Sequence, residues 1–515
     1  MRKKLFSTRL FLSDTAVLFY LALVKLLLHF LTNSQYGYFR DELYYLDCGE
    51  HLDWGYVDQT PLIAVIAKAT RVMLGESLFA LRFFPAVAGA LLVLLTGLMA
   101  RELGGNRFAQ MLAALCVLIA PSYLFMHTIL TMNAFEPLFW MLCAYLTILI
   151  VKNRNSRLWL LLGLVAGIGL MNKHSMLFFG FALVIGLLLT PCRRMFLSPW
   201  IWLGGLVALV IFLPNIIWQI RHDFPTLELL RNVETSKNYL ASPFEFIVGQ
   251  VVLMHPAAFP IWLAGLYFYL ISEQGKPYRA LGWTYMVLLV VFVVLHGKIY
   301  YLAPAYPMLF AAGGVAVENF VTLHQKPWLK PATITILLAS GIVTAPLALP
   351  MLPIETFIRY ADALGVREGV KTENHRMGRL PQHYADMFGW EQMAATVARV
   401  YAGLSPEEQA ACAVYVQNFG EAGAINFFGR AYHLPPAISG HQNYYLWGTR
   451  GYTGEVTIVV GGKRKDHEKI FSRVEQVTVI TNEYAMPYES NLPVYVGRGI
   501  KAPLNTIWPQ VKHYN

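Results

Sequence analysis

The chain has 515 residues, of which 56% are hydrophobic and only 14% are charged. An ordinary soluble domain carries about 25% charged residues, so this composition excludes a soluble globular protein. The net charge of +10 comes mainly from short loops between apolar runs. That distribution favours orientation in a bilayer over binding of nucleic acid.

About eleven apolar runs of membrane length follow one another between Leu10 and Leu349. The first run, Leu10–Thr32, follows three basic residues and is interpreted as a retained span rather than a cleaved signal peptide. Basic residues in alternate short loops predict a cytoplasmic N-terminus and a periplasmic C-terminus. We therefore expect a mainly α polytopic membrane module over residues 1–350 and a compact extracytoplasmic α/β domain over residues 351–515.

The polar loop after the first span, residues 33–77, is the most informative segment. It places several carboxylates among aromatic side chains at the predicted outer membrane surface, beginning with Asp41 and Glu42. These acids are a solvated loop pair, or complement the dipole at a helix N-terminus, or carry chemistry. Asp41 in particular either pairs with Arg40 or acts as a general base.

An amphipathic segment closes the same loop, between Pro61 and Leu74. Its basic residues, Lys68 and Arg71, interrupt an otherwise apolar stretch. The pattern predicts a helix that lies flat on the outer face with these cations toward lipid phosphates. A short span or a buried helix is the alternative.

Asn133 and Glu136 form a second candidate set near an outer span end. Residues three apart share one face of a helix, so with Asp41 they would offer oxygen ligands to a divalent cation. The alternative is a helix start in which Asn133 is the N-cap and Glu136 completes a capping box.

The outer loops also carry cations, of which Arg221 and Lys298 are the candidates for binding a lipid phosphate. Their alternative role is to anchor the spans by reaching the interface. Tyr301, close to Lys298, is either part of the same phosphate site or a member of an interfacial aromatic belt.

No P-loop and no GxGxxG pattern occurs in the chain, and the outer compartment supplies no nucleotide sugar. An energy-rich donor for chemistry on that face must therefore arrive through the membrane. A phosphate leaving group has a second pKa near 6 and needs cations but no general acid, whereas an acceptor hydroxyl needs a base.

The segment after residue 350 is richer in charge and has shorter apolar runs. Its periodicity predicts an amphipathic helix over residues 389–404 and two further helices over 421–428 and 466–472. Alternating or β-branched runs predict four strands, which are 413–419, 456–460, 474–480 and 493–497. Either this domain is a structural cap, or it selects the acceptor.

Several motifs resemble those of bacterial GT-C glycosyltransferases of the protein O-mannosyltransferase and aminoarabinose transferase type, families 39 and 83. The resemblance covers nearly the whole chain. The motifs are Phe39-Arg40-Asp41-Glu42, Asp58-Gln59-Thr60-Pro61, Lys298-Ile299-Tyr300-Tyr301, Tyr384-Ala385-Asp386-Met387-Phe388-Gly389-Trp390 and Asn418-Phe419-Gly420-Glu421-Ala422-Gly423-Ala424.

The resemblance implies a GT-C bundle and an inverting transfer from an undecaprenyl-phosphate sugar at the periplasmic face of the inner membrane. It implies Asp41 as the base, with Glu42 in the second place of the acidic pair. The acceptor would be a lipid, a glycan or a protein. No cofactor is required beyond a possible divalent cation, and no nucleic acid partner is expected. Two other classes remain open: a transporter or flippase of lipid-linked sugars, and a non-catalytic envelope scaffold.

Overall fold

The computed structural model of the chain describes residues 13–236, 241–366 and 376–515. Residues 1–12 lie outside this described part. They include the basic N-terminal residues that support the predicted orientation and the start of the apolar run from Leu10. The α-helices are α1 (Asp14–Thr32), α2 (Arg40–Glu50), α3 (Leu62–Leu74), α4 (Leu78–Leu81), α5 (Phe83–Glu102), α6 (Arg107–Ile119), α7 (Pro121–Met126), α8 (Met132–Asn153), α9 (Leu158–Asn172), α10 (Met176–Leu188), α11 (Pro199–Arg221), α12 (Pro225–Ser236), α13 (Pro243–Leu253), α14 (Phe259–Leu270), α15 (Arg279–Val294), α16 (Tyr306–Leu323), α17 (Leu329–Ala348), α18 (Ile354–Ala363), α19 (Gln382–Ala385), α20 (Trp390–Ala402), α21 (Pro406–Ala410), α22 (Phe419–Phe428), α23 (Gln442–Trp447), α24 (Arg464–Ile470) and α25 (Leu504–Ile507).

Internal contacts divide the chain into two compact units, each assembled from segments that are distant in sequence. The first unit combines Met1–Gln35, Leu74–Ile217 and Tyr239–Pro353, and the second combines Tyr36–Met73, Trp218–Asn238 and Ile354–Asn515. The first polar loop is therefore grouped with the C-terminal residues, whereas the sequence-based division at residue 350 assigned it to the transmembrane module. The division into a transmembrane catalytic module of residues 1–350 and an extracytoplasmic domain of residues 351–515 stays a prediction.

The first unit holds the apolar helices. Seven helices in the described residues are long and apolar enough to cross a membrane, and two bent helix pairs raise that number to nine. The prediction of about eleven spans also counted α6 and α9, which have only 13 and 15 residues. The bent pairs turn by 109° and 94° before Pro191 and Pro256, because proline lacks the N–H that would continue a helix. The chain is thus a multi-pass membrane protein.

The second unit contains a five-stranded mixed sheet in the order β2-β1-β3-β5-β4. Parallel pairing joins β1 to β2 and to β3, whereas β5 runs antiparallel to β3 and to β4. All five residues of β3 are buried, as is expected of a central strand covered on both faces. The strands are β1 (Cys412–Tyr415), β2 (Ala437–Ile438), β3 (Val456–Val460), β4 (Phe471–Ile480) and β5 (Leu492–Ile500).

The predicted α/β composition of this region is correct, but one predicted strand is too long. The run 413–419 is a strand only to Tyr415, because the Asn418 side chain accepts hydrogen bonds from the backbone N–H groups of Gly420 and Glu421 and so begins α22. The predicted surface segment is the amphipathic helix α3. Its two cations, Lys68 and Arg71, form ion pairs with Glu50 at 3.0 and 2.6 Å, and their orientation toward lipid phosphates stays a prediction.

Candidate active site

The acidic motif of the first loop forms the first turn of α2 in the second unit. The backbone N–H of Phe39, which has extended φ and ψ, donates to Glu42 Oε2 at 2.8 Å. Glu42 is fully buried, and its carboxylate satisfies a donor that a helix N-terminus would otherwise leave open. The helix-terminus interpretation therefore holds for Glu42, whereas its proposed share in catalysis remains a prediction.

Asp41 occupies the same turn but points elsewhere. Its side chain is 29% exposed, and its Oδ1 atom lies 3.5 Å from Arg40 Nε. The two interpretations that the sequence left open are compatible here. Asp41 is close to Arg40, and it also reaches solvent, as a base that meets a substrate hydroxyl must.

Arg40 is held by residues of the C-terminal region within the same unit. Its Nη1 atom donates to the Tyr488 hydroxyl at 2.9 Å, and its backbone N–H donates to the Asp386 carbonyl at 3.0 Å. The guanidinium lies 5.1 Å from the centre of the Phe419 ring, within cation–π range. Asp386 and Phe419 belong to the two C-terminal motifs that support the family resemblance. These motifs therefore contact Arg40 and help to fix the acidic turn.

A second polar contact fixes the middle of α2. The carboxylate of Asp47 accepts hydrogen bonds from Asn426 Nδ2 at 2.6 Å and from the Tyr444 hydroxyl. Burial raises the pKa of Asp47, although these hydrogen bonds oppose the increase. Since Asn426 also binds the backbone of Ala437 at the start of β2, α2 is tied to the sheet as well as to α22.

In the first unit, Lys173 brings the predicted Asn133 and Glu136 together. Its Nζ atom lies 2.7 Å from both Asn133 Oδ1 and Glu136 Oε2. The Glu136 side chain is nearly buried and also accepts a hydrogen bond from Ser175. The sequence placed Lys173 in an outer loop but not in the site, because no local pattern links a lysine to partners about forty residues earlier.

The alternative role of Asn133 as a helix cap is wrong. Thr131 is the N-cap of α8, and its hydroxyl accepts a hydrogen bond from the Asn133 backbone N–H at 3.3 Å. Asn133 lies within the first turn, where its Nδ2 atom donates to Thr131 Oγ1 at 3.1 Å and its Oδ1 atom accepts from Lys173. The ammonium group also sits where the sequence suggested a divalent cation. In the described part of the chain, no group of three or more His, Cys, Asp or Glu side chains is arranged to hold a metal.

Tyr301 belongs to the same cluster. Its ring centre lies 5.0 Å from Lys173 Nζ, and that of Tyr300 lies 5.9 Å away. Lys298 precedes the short 3₁₀ turn Ile299–Ala305 that carries both tyrosines, and its carbonyl accepts a hydrogen bond from the Tyr301 backbone at 2.9 Å. The structure therefore brings Asn133, Glu136 and Tyr301 together around Lys173, with Lys298 on the adjoining turn.

Arg221, the other predicted phosphate ligand, is grouped with the second unit. It is the last residue of α11 and is exposed. The preceding turn is fixed by Trp218, whose Nε1 atom donates to Asp53 Oδ2 at 2.7 Å and whose ring stacks on that of His222. Arg221 thus extends from a well-fixed helix end.

Comparison with known proteins gives a family match over part of the chain and a fold. The family of dolichyl-phosphate-mannose-protein mannosyltransferases matches residues 58–218. The structure is similar to ArnT from Cupriavidus metallidurans bound to undecaprenyl phosphate, at 14% identity and a TM-score of 0.60 over 93% of this chain and 97% of that one. The fold of this chain is therefore that of the GT-C glycosyltransferases. The GT-C fold that the sequence motifs implied is thus confirmed.

A second GT-C structure is more distant. The oligosaccharyltransferase of Archaeoglobus fulgidus in its apo form matches at 14% identity and a TM-score of 0.50, over 82% of this chain and 64% of that chain. No curated protein sequence matches the chain significantly. The comparisons thus show a GT-C fold, together with a family match that is limited to residues 58–218.

Proposed function

We propose that this GT-C protein is an inverting glycosyltransferase of the bacterial inner membrane. It moves a sugar from a polyprenyl-phosphate donor to an acceptor on the periplasmic face. The observation that carries the proposal is the placement of Asp41, which a GT-C fold presents on the first turn of α2 with its carboxylate partly open to solvent. The alternation of basic loops supports this orientation in the membrane.

The reaction needs one base and a neutralised leaving group. Asp41 accepts the proton of the acceptor hydroxyl, and the hydroxyl oxygen attacks the anomeric carbon from the face opposite the phosphate. The bond between that carbon and the phosphate oxygen breaks, and its electron pair stays on the oxygen, so polyprenyl phosphate leaves with an additional negative charge. Attack from the opposite face inverts the anomeric configuration.

Cationic side chains would stabilise the phosphate as its charge develops. Lys298 and Arg221 are the proposed ligands, and Tyr301 would donate a hydrogen bond from its hydroxyl. The ArnT structure that shares this fold is bound to undecaprenyl phosphate, which supports a polyprenyl phosphate as donor here. Asn133 and Glu136 act through Lys173, which they hold beside the rings of Tyr300 and Tyr301.

Replacement of Asp41 by asparagine tests the proposal. Asp41→Asn removes the proton acceptor while it preserves size, so transfer should fall by at least about 100-fold, and an isoprenyl-phosphate sugar should accumulate. Asp466→Asn is the matched control, because this carboxylate is exposed on α24 and pairs with Lys469 of the same helix. Mass spectrometry of envelope lipids, glycans and proteins from both strains and from a deletion strain gives the readout.

The outcome separates the leading proposal from its rival. Full transfer by Asp41→Asn protein that inserts normally would eliminate Asp41 as the base. The two sharply bent helix pairs favour a transporter of lipid-linked sugars as the second candidate, because broken helices are common in transporters. Purified protein mixed with donor lipid distinguishes them: a transferase forms a new glycosidic bond, and a transporter forms none.

A further inference from the structure

Two buried carboxyl groups, Glu421 and Glu489, lie together in the second unit. Asn418 Nδ2 donates to Glu421 Oε1 at 3.1 Å and to Glu489 Oε1 at 2.9 Å. The other oxygen of Glu421 accepts from the backbone of Gln417 at 2.7 Å. Glu421 is 1% exposed and Glu489 is 3% exposed. Burial of two acids side by side is costly, so the pair calls for an explanation beyond packing.

The pair holds a proton near neutral pH. Burial raises the pKa of Glu421 to about 7, although hydrogen bonds from Gln417, Glu489 and Asn418 oppose the increase. Burial, and then the charge of Glu421, raises the pKa of Glu489 well above its ordinary value. Two interacting acids titrate as a unit. The pair is therefore neutral at mildly acidic pH and gains one negative charge as the pH rises through about 7.

Arg40 is the cation that responds to this charge. Its positive charge favours the ionised form of Glu489, whereas the negative charge of Asp386 disfavours it. On the other side, Arg40 Nε lies 3.5 Å from Asp41 Oδ1. The side chain of Arg40 thus contacts Gly420 and Tyr488, which are the chain neighbours of the two buried acids, and it lies beside the proposed base.

The surrounding contacts limit how Arg40 can move. Tyr488 bridges Arg40 and Asp386, since its hydroxyl accepts from the arginine and donates to Asp386 Oδ1 at 3.3 Å. The stem of Arg40 rests on Gly420, where a Cβ atom would overlap it. Among the described residues, other titratable groups near the pair include Tyr415 on β1, whose pKa is raised by burial and by the charge of Glu421, and His441, whose Nδ1 atom accepts from the Phe419 backbone. Neither provides a second cation of permanent charge.

We propose that Glu421 and Glu489 are positioning residues whose negative charge weakens the electrostatic effect of Arg40 on Asp41. They would thereby make the activity of the transferase pH-dependent near neutrality. A guanidinium beside a carboxylate favours its ionised form and makes it a weaker base. When the buried pair is charged, its negative charge offsets part of the positive charge that Arg40 presents to Asp41, and no movement of Arg40 is needed. When the pair is neutral, Arg40 acts more strongly on Asp41, and proton transfer from the acceptor slows.

The inference rests on the proposed function, and the double variant Glu421→Gln/Glu489→Gln tests it. Glutamine keeps the shape of a protonated acid and fixes the pair in its neutral state. We expect kcat/KM to equal that of the wild type at pH 5.5, where the wild-type pair is also neutral. At pH 8 we expect a three- to tenfold lower value, with the difference in kcat rather than in KM.

The deciding quantity is the ratio of kcat/KM of the double variant to that of the wild type at each pH. General damage to the protein would lower kcat/KM by the same factor at every pH. A constant ratio between pH 5.5 and 8 overturns the inference. Glu355→Gln is the matched control. Its carboxylate is exposed and pairs with Arg379, so this variant should follow the wild type throughout.

Two further measurements keep the inference separate from the proposed function. If Asp41→Asn is active, the proposed base is wrong. If Asp41→Asn is inactive while the double variant shows a constant ratio, only the role of the pair is wrong. If the double variant does not accumulate, Glu421→Gln alone carries the same expectation, and failing that, the wild-type profile decides: activity that stays flat between pH 6 and 8 rejects the inference.

Discussion

Removal of Lys173 should damage the first unit. This lysine neutralises Glu136, which is nearly buried, and it also contacts Asn133. Breaking a buried ion pair leaves an uncompensated charge and costs on the order of 3 kcal/mol. Lys173→Met should therefore lower the thermal unfolding midpoint in detergent and reduce transfer, because Tyr300 and Tyr301 lose the cation near their rings.

A double-mutant cycle identifies the cause of that loss. Lys173→Met/Glu136→Gln removes both charges, so it should recover much of the stability lost by Lys173→Met alone. Transfer should remain low in the double variant, because the cation near the tyrosines is still absent. If stability does not recover, the ion pair is not what Lys173 contributes.

For individual residues, the sequence indicated the acidic site residues such as Asp41 but not the basic partner Lys173. Asp41 stood out because a carboxylate at a membrane surface needs a partner or a task, and the structure gives it both exposure and Arg40. Lys173 did not stand out, since one lysine at a membrane surface is ordinarily an interfacial anchor. Its role depends on the packing of α8 against the turn after α9, which no local pattern encodes.

Among the secondary-structure elements, α2 and α22 pack closely enough to require glycine. A Cβ atom on Gly423 would lie 2.9 Å from the backbone carbon of Leu43. No flexible side-chain end is available there to move aside, so any added methyl group must displace α2. The position of Asp41 on the first turn of α2 therefore depends on a glycine in the C-terminal region.

Gly423→Ala tests this dependence. In an unconstrained helix, alanine would be more favourable than glycine by about 1 kcal/mol, so a loss here must be steric. We expect several-fold lower transfer with little change in the amount of membrane-inserted protein. Gly403→Ala is the control within the same unit, because its nearest neighbour, the Val400 carbonyl oxygen, is 3.4 Å from the added atom. Equal activity of both variants would show that α2 tolerates the shift.

Periodicity predicted most elements of the C-terminal region but not the junction that matters here. The run Val456–Val460 is β3 with the predicted bounds, because a continuous β-branched run is a clear signal. The boundary between β1 and α22 was missed because it depends on the Asn418 side chain, which caps the helix and also binds both buried acids. A single capping residue thus decides where the strand ends and the helix begins, and the apolar pattern around it does not show that position.

For the whole molecule, apolar runs were sufficient to predict a polytopic membrane protein, and short motifs were sufficient to indicate the GT-C fold. The grouping of residues into units was beyond the sequence. The second unit combines the first loop, the segment Trp218–Asn238 and the C-terminal region. Hydropathy cannot predict this, because the contacts that join these segments, such as Asp47 with Asn426, connect positions that are hundreds of residues apart.

Stability across the pH range gives a test that does not depend on activity. A carboxyl group whose pKa is higher in the folded state than the ordinary 4.5 stabilises the fold most fully below that value, and its contribution is lost as the pH rises through the folded-state pKa. For Glu421, with a pKa of about 7, the loss between pH 5 and 8 is on the order of 3 kcal/mol. Glu489 shifts in the same direction. The folded state should therefore become less stable as the pH rises through this window.

The Glu421→Gln/Glu489→Gln variant isolates this effect, because every other group titrates in both proteins. Its thermal unfolding midpoint should equal that of the wild type near pH 5 and exceed it by several degrees near pH 8, since glutamine needs no proton to remain buried. Acids such as Glu50, whose pKa is lowered, titrate below this window and cancel in the comparison. A midpoint difference that is independent of pH would mean that the two acids are not buried together in the folded protein, and it would remove the physical basis for coupling them to Arg40.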